Sequence, residues 1–131
     1  MKNRNLKTAF LLAALAVALG AFGAHALKNL LNAEQLHTYQ TGVQYHFYHA
    51  LALAVAGLLQ MHYSNKWISI AGNLFIAGLI LFSGSLYTLS FARAAGNEHL
   101  NWLGAITPLG GVCFIMGWIC LFMAVSKSKN S

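Results

Sequence analysis

Charge is the scarcest property of this sequence. Only 8% of its 131 residues are charged, whereas 58% are hydrophobic. Soluble domains carry roughly 25% charged residues, so eight basic and two acidic side chains cannot coat a soluble domain of this length. Four long apolar stretches make up most of the chain instead. This composition predicts one integral membrane domain over residues 1–131.

Reactive motifs are equally scarce. The only two cysteines, Cys113 and Cys120, stand seven residues apart, about 10 Å along a helix, which is too far for a mutual disulfide. The chain has no Cys-x-x-Cys pair, zinc-type spacing or glycine-rich phosphate loop. It also has no His-Glu-x-x-His motif, Ser-x-x-Lys dyad or paired carboxylates. We therefore expect no enzyme, no cofactor and no dedicated metal site.

The net charge of +6 does not indicate nucleic-acid binding, because the basic residues are scattered or terminal and form no aromatic-interleaved basic face. An even number of spans would place both termini on the side of the 62–66 loop. That side holds six basic residues, against two on the other side (Lys2, Arg4, Lys7, Lys66, Lys127 and Lys129 against Lys28 and Arg93). The positive-inside rule then predicts that both termini are cytoplasmic.

The first apolar stretch runs from Thr8 to Ala24 and has two interpretations. A basic start, an apolar run and the sequence Ala24-His25-Ala26 are typical of a secretory signal peptide with its cleavage site. The run of about 17 residues is also long enough for a short membrane helix. We favour a first span over about residues 8–25.

The second helix is expected to begin in water. Asn32 can cap a helix, Gln35 can reach back to complete a capping box, and Glu34 suits the positive end of the helix dipole. A helix from about residue 33 to 61 would be roughly 43 Å long, whereas the hydrocarbon core is about 30 Å thick. We therefore place the second span at about 43–61, with the preceding turns in or above the headgroups.

The remaining spans are predicted at about 67–91 and 108–125. Thr107-Pro108 is typical of an N-cap followed by proline at the first helical position, with residues 103–106 folded over the bundle mouth. The alternative is one continuous helix kinked at Pro108. The predicted fold class is therefore all-α, an integral membrane four-helix bundle.

Small and polar residues share faces of the predicted helices. Small residues let membrane helices approach closely, and polar residues hydrogen-bond between them. The glycines that we assign to helix packing are Gly20, Gly23, Gly57, Gly84 and Gly110. On the last helix, Cys113, Met116, Cys120 and Met123 also form a stripe. Soft sulfur ligands suit Cu(I), but these residue types are also common core fillers, which is the interpretation we favour.

The histidines are the main candidates for function. His46 and His49 lie 60° apart around a helix, and His25 is expected at the same membrane mouth. Three imidazoles there could bind a metal, with Gln44 or a tyrosine orienting one ring, or could relay protons. They could equally be interfacial side chains with structural hydrogen bonds. The polar cluster to be tested is His25, Gln44, His46, His49, Ser83, Ser85 and Tyr87.

We predict that His46 and His49 face the bundle interior near the outer mouth. His49 is expected to contact the Ser83–Tyr87 segment, and His46 the residues after Phe91 or the Thr107-Pro108 turn. The opposite face of the helix is expected to meet lipid through Val43, Phe47, Ala50 and Leu51.

Four segments resemble the signature stretches of the YgdD-like family of small bacterial inner-membrane proteins: "GAFGAHALK", "YQTGVQYHFYHALAL", "FSGSLY" and "GAITPLGG". The resemblance covers essentially the whole chain in order. It implies four spans and an inner-membrane location, and it supplies no reaction. The characteristic positions that it implies here are Gly20, Gly23, His25, Gln44, His46, His49, Ser83, Gly84, Ser85, Pro108 and Gly110.

Two functions remain open from the sequence. The first is a non-enzymatic structural or binding bundle that contacts membrane lipids and either forms a homo-oligomer or serves as an accessory subunit of a larger membrane complex. The alternative is a permease or channel for a small solute or for protons that uses His46 and His49.

Overall fold

The chain is almost entirely helical. The computed structural model describes residues 3–127, and no β-strand occurs within them. The long helices are α1 (Arg4–His25), α2 (Ala33–Gln60), α3 (Lys66–Gly78), α4 (Gly84–Ala94) and α5 (Thr107–Lys127). A π-helical turn (Leu79–Ser83) joins α3 to α4, and short 3₁₀ helices lie at Leu27–Asn29 and Asn101–Ala105. The all-α fold class is confirmed.

Three segments are long and apolar enough to cross a membrane: Arg4–His25, Lys66–Ala94 and Asn101–Lys127. The 28-residue α2 is the fourth long helical segment, and it carries His46 and His49. The number of long helical segments agrees with a four-helix membrane bundle. Lys2 and Lys129, which contributed to the orientation argument, lie outside the described residues. The cytoplasmic placement of the termini remains a prediction.

Successive segments run antiparallel. At one end, which we call the terminal end, Asn5 of α1 bonds to Gln60 of α2, and Asn65 bonds to the carbonyl of Ala124 in α5. The opposite end, the loop end, holds the connections at 26–32 and 95–106. α1 packs mainly against α2, and α5 packs mainly against α3 and the π-turn. Therefore α2 and the 66–94 segment form the middle of the bundle.

The start of α2 follows from its local sequence. The Asn32 side chain accepts a hydrogen bond from the Gln35 backbone N–H at 2.8 Å, and the Gln35 side chain accepts one from the Asn32 N–H at 3.0 Å. This is the predicted capping box, which satisfies two N–H groups at the helix start.

Two predicted helix features are wrong in detail. The third span was expected as one α-helix, but it contains the π-turn at Leu79–Ser83, where one wider turn is inserted. Apolar periodicity does not reveal a single wider turn. Thr107 was expected to cap α5, but it is the first residue of that helix. Its hydroxyl instead contacts Ser85 Oγ at 2.6 Å, an interhelical partner that local sequence cannot reveal.

Four of the five predicted packing glycines do lie at close helix contacts. A methyl group added at Gly20 would approach Val43, at Gly23 the Tyr39 ring, at Gly57 Leu6, and at Gly110 the backbone of Phe82. Gly84 is the exception, because nothing lies within 4 Å of an added methyl group. Its packing role was wrongly predicted, because Gly84 does not lie against a neighbouring helix.

Candidate functional site

His46 and His49 both point into the bundle. Their exposed fractions are 4% and 5%, so neither ring is lipid-facing. A buried imidazole needs hydrogen-bond partners because a polar group in hydrocarbon without a partner costs several kcal/mol. The partners of each ring therefore define what it can do.

His49 has a partner at each ring nitrogen. Nδ1 lies 2.9 Å from the carbonyl oxygen of Tyr45, and the indole Nε1–H of Trp118 donates to Nε2 at 3.1 Å. A carbonyl can only accept and an indole N–H can only donate. Therefore Nδ1 carries the proton, Nε2 is the acceptor, and the ring is held as one neutral tautomer. The Phe114 ring stacks on it at a centroid distance of 3.6 Å.

His46 has one partner. Its Nδ1 lies 2.8 Å from the hydroxyl of Tyr87. Its Nε2 is buried and has no hydrogen-bond partner within residues 3–127.

The interior placement of both rings was predicted, but the partners were wrongly assigned. His46, not His49, contacts the Ser83–Tyr87 segment, and His49 contacts α5 through Phe114 and Trp118. The three-residue step moves His49 about 4.5 Å further from the loop end and 60° around the helix. That rotation turns its ring from α4 towards α5.

The predicted polar cluster separates into several groups. Ser83 donates to the carbonyl of Gly42 at 2.8 Å, and Ser85 contacts Thr107 near the start of α5. His25 is exposed at the end of α1. Gln44 is exposed and donates to the Tyr48 hydroxyl at 2.8 Å. His46, His49, Ser83 and Ser85 thus each make a separate interhelical contact, while His25 and Gln44 lie apart from them.

The geometry does not bring metal-ligating residues together. Within residues 3–127, no group of three His, Cys, Asp or Glu side chains could hold a metal ion. Along α5, Cys120 is buried while Met116 is 47% exposed, so this sulfur stripe does not converge on one point.

On the opposite face of α2, Leu51 is 48% exposed as predicted, but Ala50 is buried, because the helix contacts neighbours over more of its circumference than expected.

A polar network at the terminal end was not predicted as a unit. Asn5, only 2% exposed, donates to Gln60 at 3.0 Å, and Gln60 donates to Ser69 at 3.1 Å. Nη2 of Arg4 donates to the side-chain oxygens of Asn5 and Asn73. Asn5 could be linked to Gln60, Ser69 and Asn73 only by knowing which helices are neighbours.

A lateral groove lies between α1 and α2. It has a volume of about 500 Å³ and faces out of the bundle, towards the loop end. Apolar side chains dominate its lining, and the Gln44–Tyr48 pair adds polar atoms at one side. The residues that line the groove are Ala16, Val17, Gly20, Ala21, Val43, Gln44, Phe47 and Tyr48.

Comparison with known proteins gives one consistent result. The family model described as "Protein of unknown function (DUF423)" matches residues 19–111. The chain is 49% identical over 116 residues to the UPF0382 membrane protein YwdK of Bacillus subtilis, covering 88% of this chain and 89% of the relative.

Two further relatives come from other bacteria. The chain is 38% identical to a UPF0382 membrane protein of Haemophilus influenzae, covering 99% of both chains. It is 34% identical to the UPF0382 inner membrane protein YgdD of Escherichia coli, covering 87% of this chain and 82% of the relative. No solved structure matches the chain.

Proposed function

Because the chain belongs to DUF423, a family of bacterial membrane proteins of unknown function, we propose its role from its own geometry: a non-catalytic bundle that binds a further membrane helix. The occupant that we propose is a second copy of the chain, and a subunit of a larger membrane complex is the other candidate. The predicted resemblance to the YgdD-like family and the inner-membrane location are both confirmed by the relatives.

The lateral groove between α1 and α2 is the observation that carries this proposal. It is an apolar concavity on the outside of the bundle, and its floor includes Ala16, Gly20 and Ala21. Small residues allow a neighbouring backbone to approach, which is the common basis of helix association in membranes. Gln44 and Tyr48 supply polar atoms on the same flank, and a polar residue of an incoming helix could bond to them.

α1 is also incompletely covered. Of its most apolar 18 residues, 17% are buried, against 44% for the 66–94 segment and 33% for the 101–127 segment. The small residues Ala14, Ala18 and Ala21 are exposed along it. A second helix seated on the α1–α2 groove would cover part of this surface.

The surroundings of the histidines support a structural role and not a catalytic one. His49 is fixed as a neutral tautomer by Tyr45 and Trp118 and is stacked on Phe114, so both ring nitrogens are engaged. A general base or nucleophile needs a nitrogen that can reach a substrate. His49 holds α2 against α5 instead.

Native mass spectrometry of gently extracted protein tests the proposal. We expect the wild type to keep a second copy or a distinct partner. Val17→Trp should release it, because Val17 is 62% exposed and lines the groove. Ile115→Trp is the matched control, since Ile115 is 60% exposed on α5 and does not line the groove. A wild type that is strictly monomeric and without partners contradicts the proposal.

One observation favours a second candidate, a proton or small-solute permease. Nε2 of His46 is buried and has no hydrogen-bond partner within residues 3–127; an unpaired polar group of this kind costs free energy, which a proton or a solute that binds there would offset. Flux into liposomes should then fall when His46 is replaced by Phe. Flux that is unchanged by replacing both His46 and His49 would reject this candidate.

A further inference from the structure

Within residues 3–127, Arg4 is the one basic residue whose side chain donates hydrogen bonds to two other side chains. Its Nη2 donates to the Asn73 side-chain oxygen at 2.9 Å and to the Asn5 side-chain oxygen at 3.2 Å. Asn5 is itself held by Gln60, and Gln60 bonds to Ser69. Four side chains from three helices therefore position one guanidinium group, while Arg4 as a residue remains exposed.

The groups that hold Arg4 are neutral. Amide oxygens accept hydrogen bonds from a guanidinium group but do not cancel its charge. The only two acidic residues of the sequence, Glu34 and Glu98, both lie at the loop end, where they line a polar pocket with Arg93. Arg4 is therefore fixed in position, and no acidic side chain at its end of the bundle neutralises it.

The depth of Arg4 makes this charge costly. Asn73 stands seven residues after Lys66, so the guanidinium group lies about 10 Å inside the start of α3. The segment Lys66–Ala94 is about 43 Å long, whereas the hydrocarbon core measures about 30 Å. If the segment is centred, Arg4 lies at the boundary between headgroups and acyl chains. Long basic side chains at this depth direct their charge to the headgroups, where anionic lipid attracts it.

The side chains near Arg4 suit a ligand that has both a phosphate group and an acyl chain. Lys7 and Leu11 follow Arg4 on the same face of α1, one and two turns further into the membrane; Lys7 is exposed and Leu11 is 73% exposed. Nη1 and Nε of Arg4 have no hydrogen-bond partner within residues 3–127 and can donate to phosphate oxygens. Leu11 offers apolar surface to the adjoining acyl chain.

From this arrangement we propose that Arg4, positioned by Asn5 and Asn73 and assisted by Lys7, binds the headgroup phosphate of an anionic phospholipid. The site lies at the terminal end, away from the α1–α2 groove, and does not depend on the oligomeric role proposed above. The ligand chemistry is a phosphate group, and its source is the lipid and not free phosphate, because Leu11 adjoins the site.

Asn73→Asp tests the site most sharply. A carboxylate at this position keeps the hydrogen bond to Arg4 and strengthens it, but neutralises the guanidinium charge. The variant should therefore fold with unchanged or higher thermal stability and yet retain less anionic lipid. Arg4→Gln removes the charge directly and should show the same loss. Lys28→Gln, at an exposed residue of the loop-end 3₁₀ helix, is the control for net charge.

The measurement is lipid retention, by native mass spectrometry from mixed micelles that contain equal amounts of phosphatidylglycerol and phosphatidylcholine. We expect the wild type and Lys28→Gln to retain phosphatidylglycerol preferentially. Retention should fall about fivefold in Asn73→Asp and Arg4→Gln, in line with the attraction of one basic residue at an anionic surface. Equal retention of the two lipids by the wild type overturns the proposal, as does full retention of phosphatidylglycerol by folded Asn73→Asp. Displacement of the lipid by inorganic phosphate alone overturns the assignment to a lipid.

Discussion

The imidazole of His49 lies parallel to the ring of Phe114, with 3.6 Å between centroids and 7° between planes, and its Nε2 accepts the indole N–H of Trp118. These interactions join α2 to α5. Two helices that are distant in sequence are thus joined by one stacked pair and one hydrogen bond. We expect the contact to contribute to stability.

His49→Leu should destabilise the bundle by about 1–2 kcal/mol. The substitution keeps a side chain of similar volume but leaves the partly buried Trp118 N–H without its acceptor, and an unsatisfied donor away from water costs about 1–3 kcal/mol. Thermal unfolding in detergent, followed by circular dichroism, measures the effect. His37→Leu serves as the control, because His37 is exposed on the first half of α2. Equal unfolding temperatures for the two variants would show that the stacked contact is energetically neutral.

Tyr87→Phe should destabilise the bundle by about 0.6 kcal/mol, the mean for a hydrogen bond between membrane helices, and by at most about 1.7 kcal/mol. The change removes the hydroxyl that bonds to His46 Nδ1. Tyr48→Phe removes a hydroxyl whose one bond within residues 3–127 is to the exposed Gln44 on the same helix, and is the matched control. The same unfolding assay measures both variants. A greater loss in Tyr48→Phe than in Tyr87→Phe contradicts the assignment of His46–Tyr87 as the interhelical contact.

Gly110→Ala and Gly84→Ala should have opposite effects. At Gly110 the added methyl group would collide with the backbone of Phe82 in the π-turn, and such overpacking costs about 1–3 kcal/mol. At Gly84 the methyl group meets nothing within 4 Å, so replacing glycine within a helix should stabilise by about 0.5–1 kcal/mol. Unfolding of both variants in detergent tests the pair. A destabilising effect of Gly84→Ala would mean that the glycine is needed for a contact outside the described chain.

The sequence predicted those features that depend on neighbours along the chain. The capping box at Asn32 and Gln35 requires only three residues' spacing, and it is present. The inward face of α2 follows from helical periodicity, and His46 and His49 are both buried as that periodicity indicates. Each of these features is set within one helix.

The features that were missed depend on which helices are neighbours and on how each is rotated. The partner of His49 is Trp118, 69 residues away, and no periodicity within α2 identifies it. The same holds for Asn5, which reaches Gln60 across 55 residues. The π-turn at Leu79–Ser83 is a local event, but its sequence is mostly apolar like that of the helices around it, so the one-residue shift of the inward face leaves no mark in the composition.

The orientation of the bundle is the last prediction, and it depends on charge. Within the described residues, the terminal end carries Arg4, Lys7, Lys66 and Lys127, whereas the loop end carries Lys28 and Arg93 together with both glutamates. Because basic residues near membrane helices are retained in the cytoplasm, both termini should lie there. A green fluorescent protein fused after Ser131 should fluoresce, and an alkaline phosphatase inserted in the 95–100 loop should be active.

A charge-shifted variant provides the control for this orientation. Arg4→Gln and Lys7→Gln, combined with Asn97→Lys and Asn101→Lys, reduce the basic residues at the terminal end and raise them at the loop end. If charge sets the orientation, both reporter signals should fall in this variant, since part of the population would insert the other way round. A wild-type fusion at Ser131 that does not fluoresce, together with an inactive loop phosphatase, would place the termini outside. Unchanged signals in the charge-shifted variant would mean that the apolar segments, and not the basic residues, determine the topology.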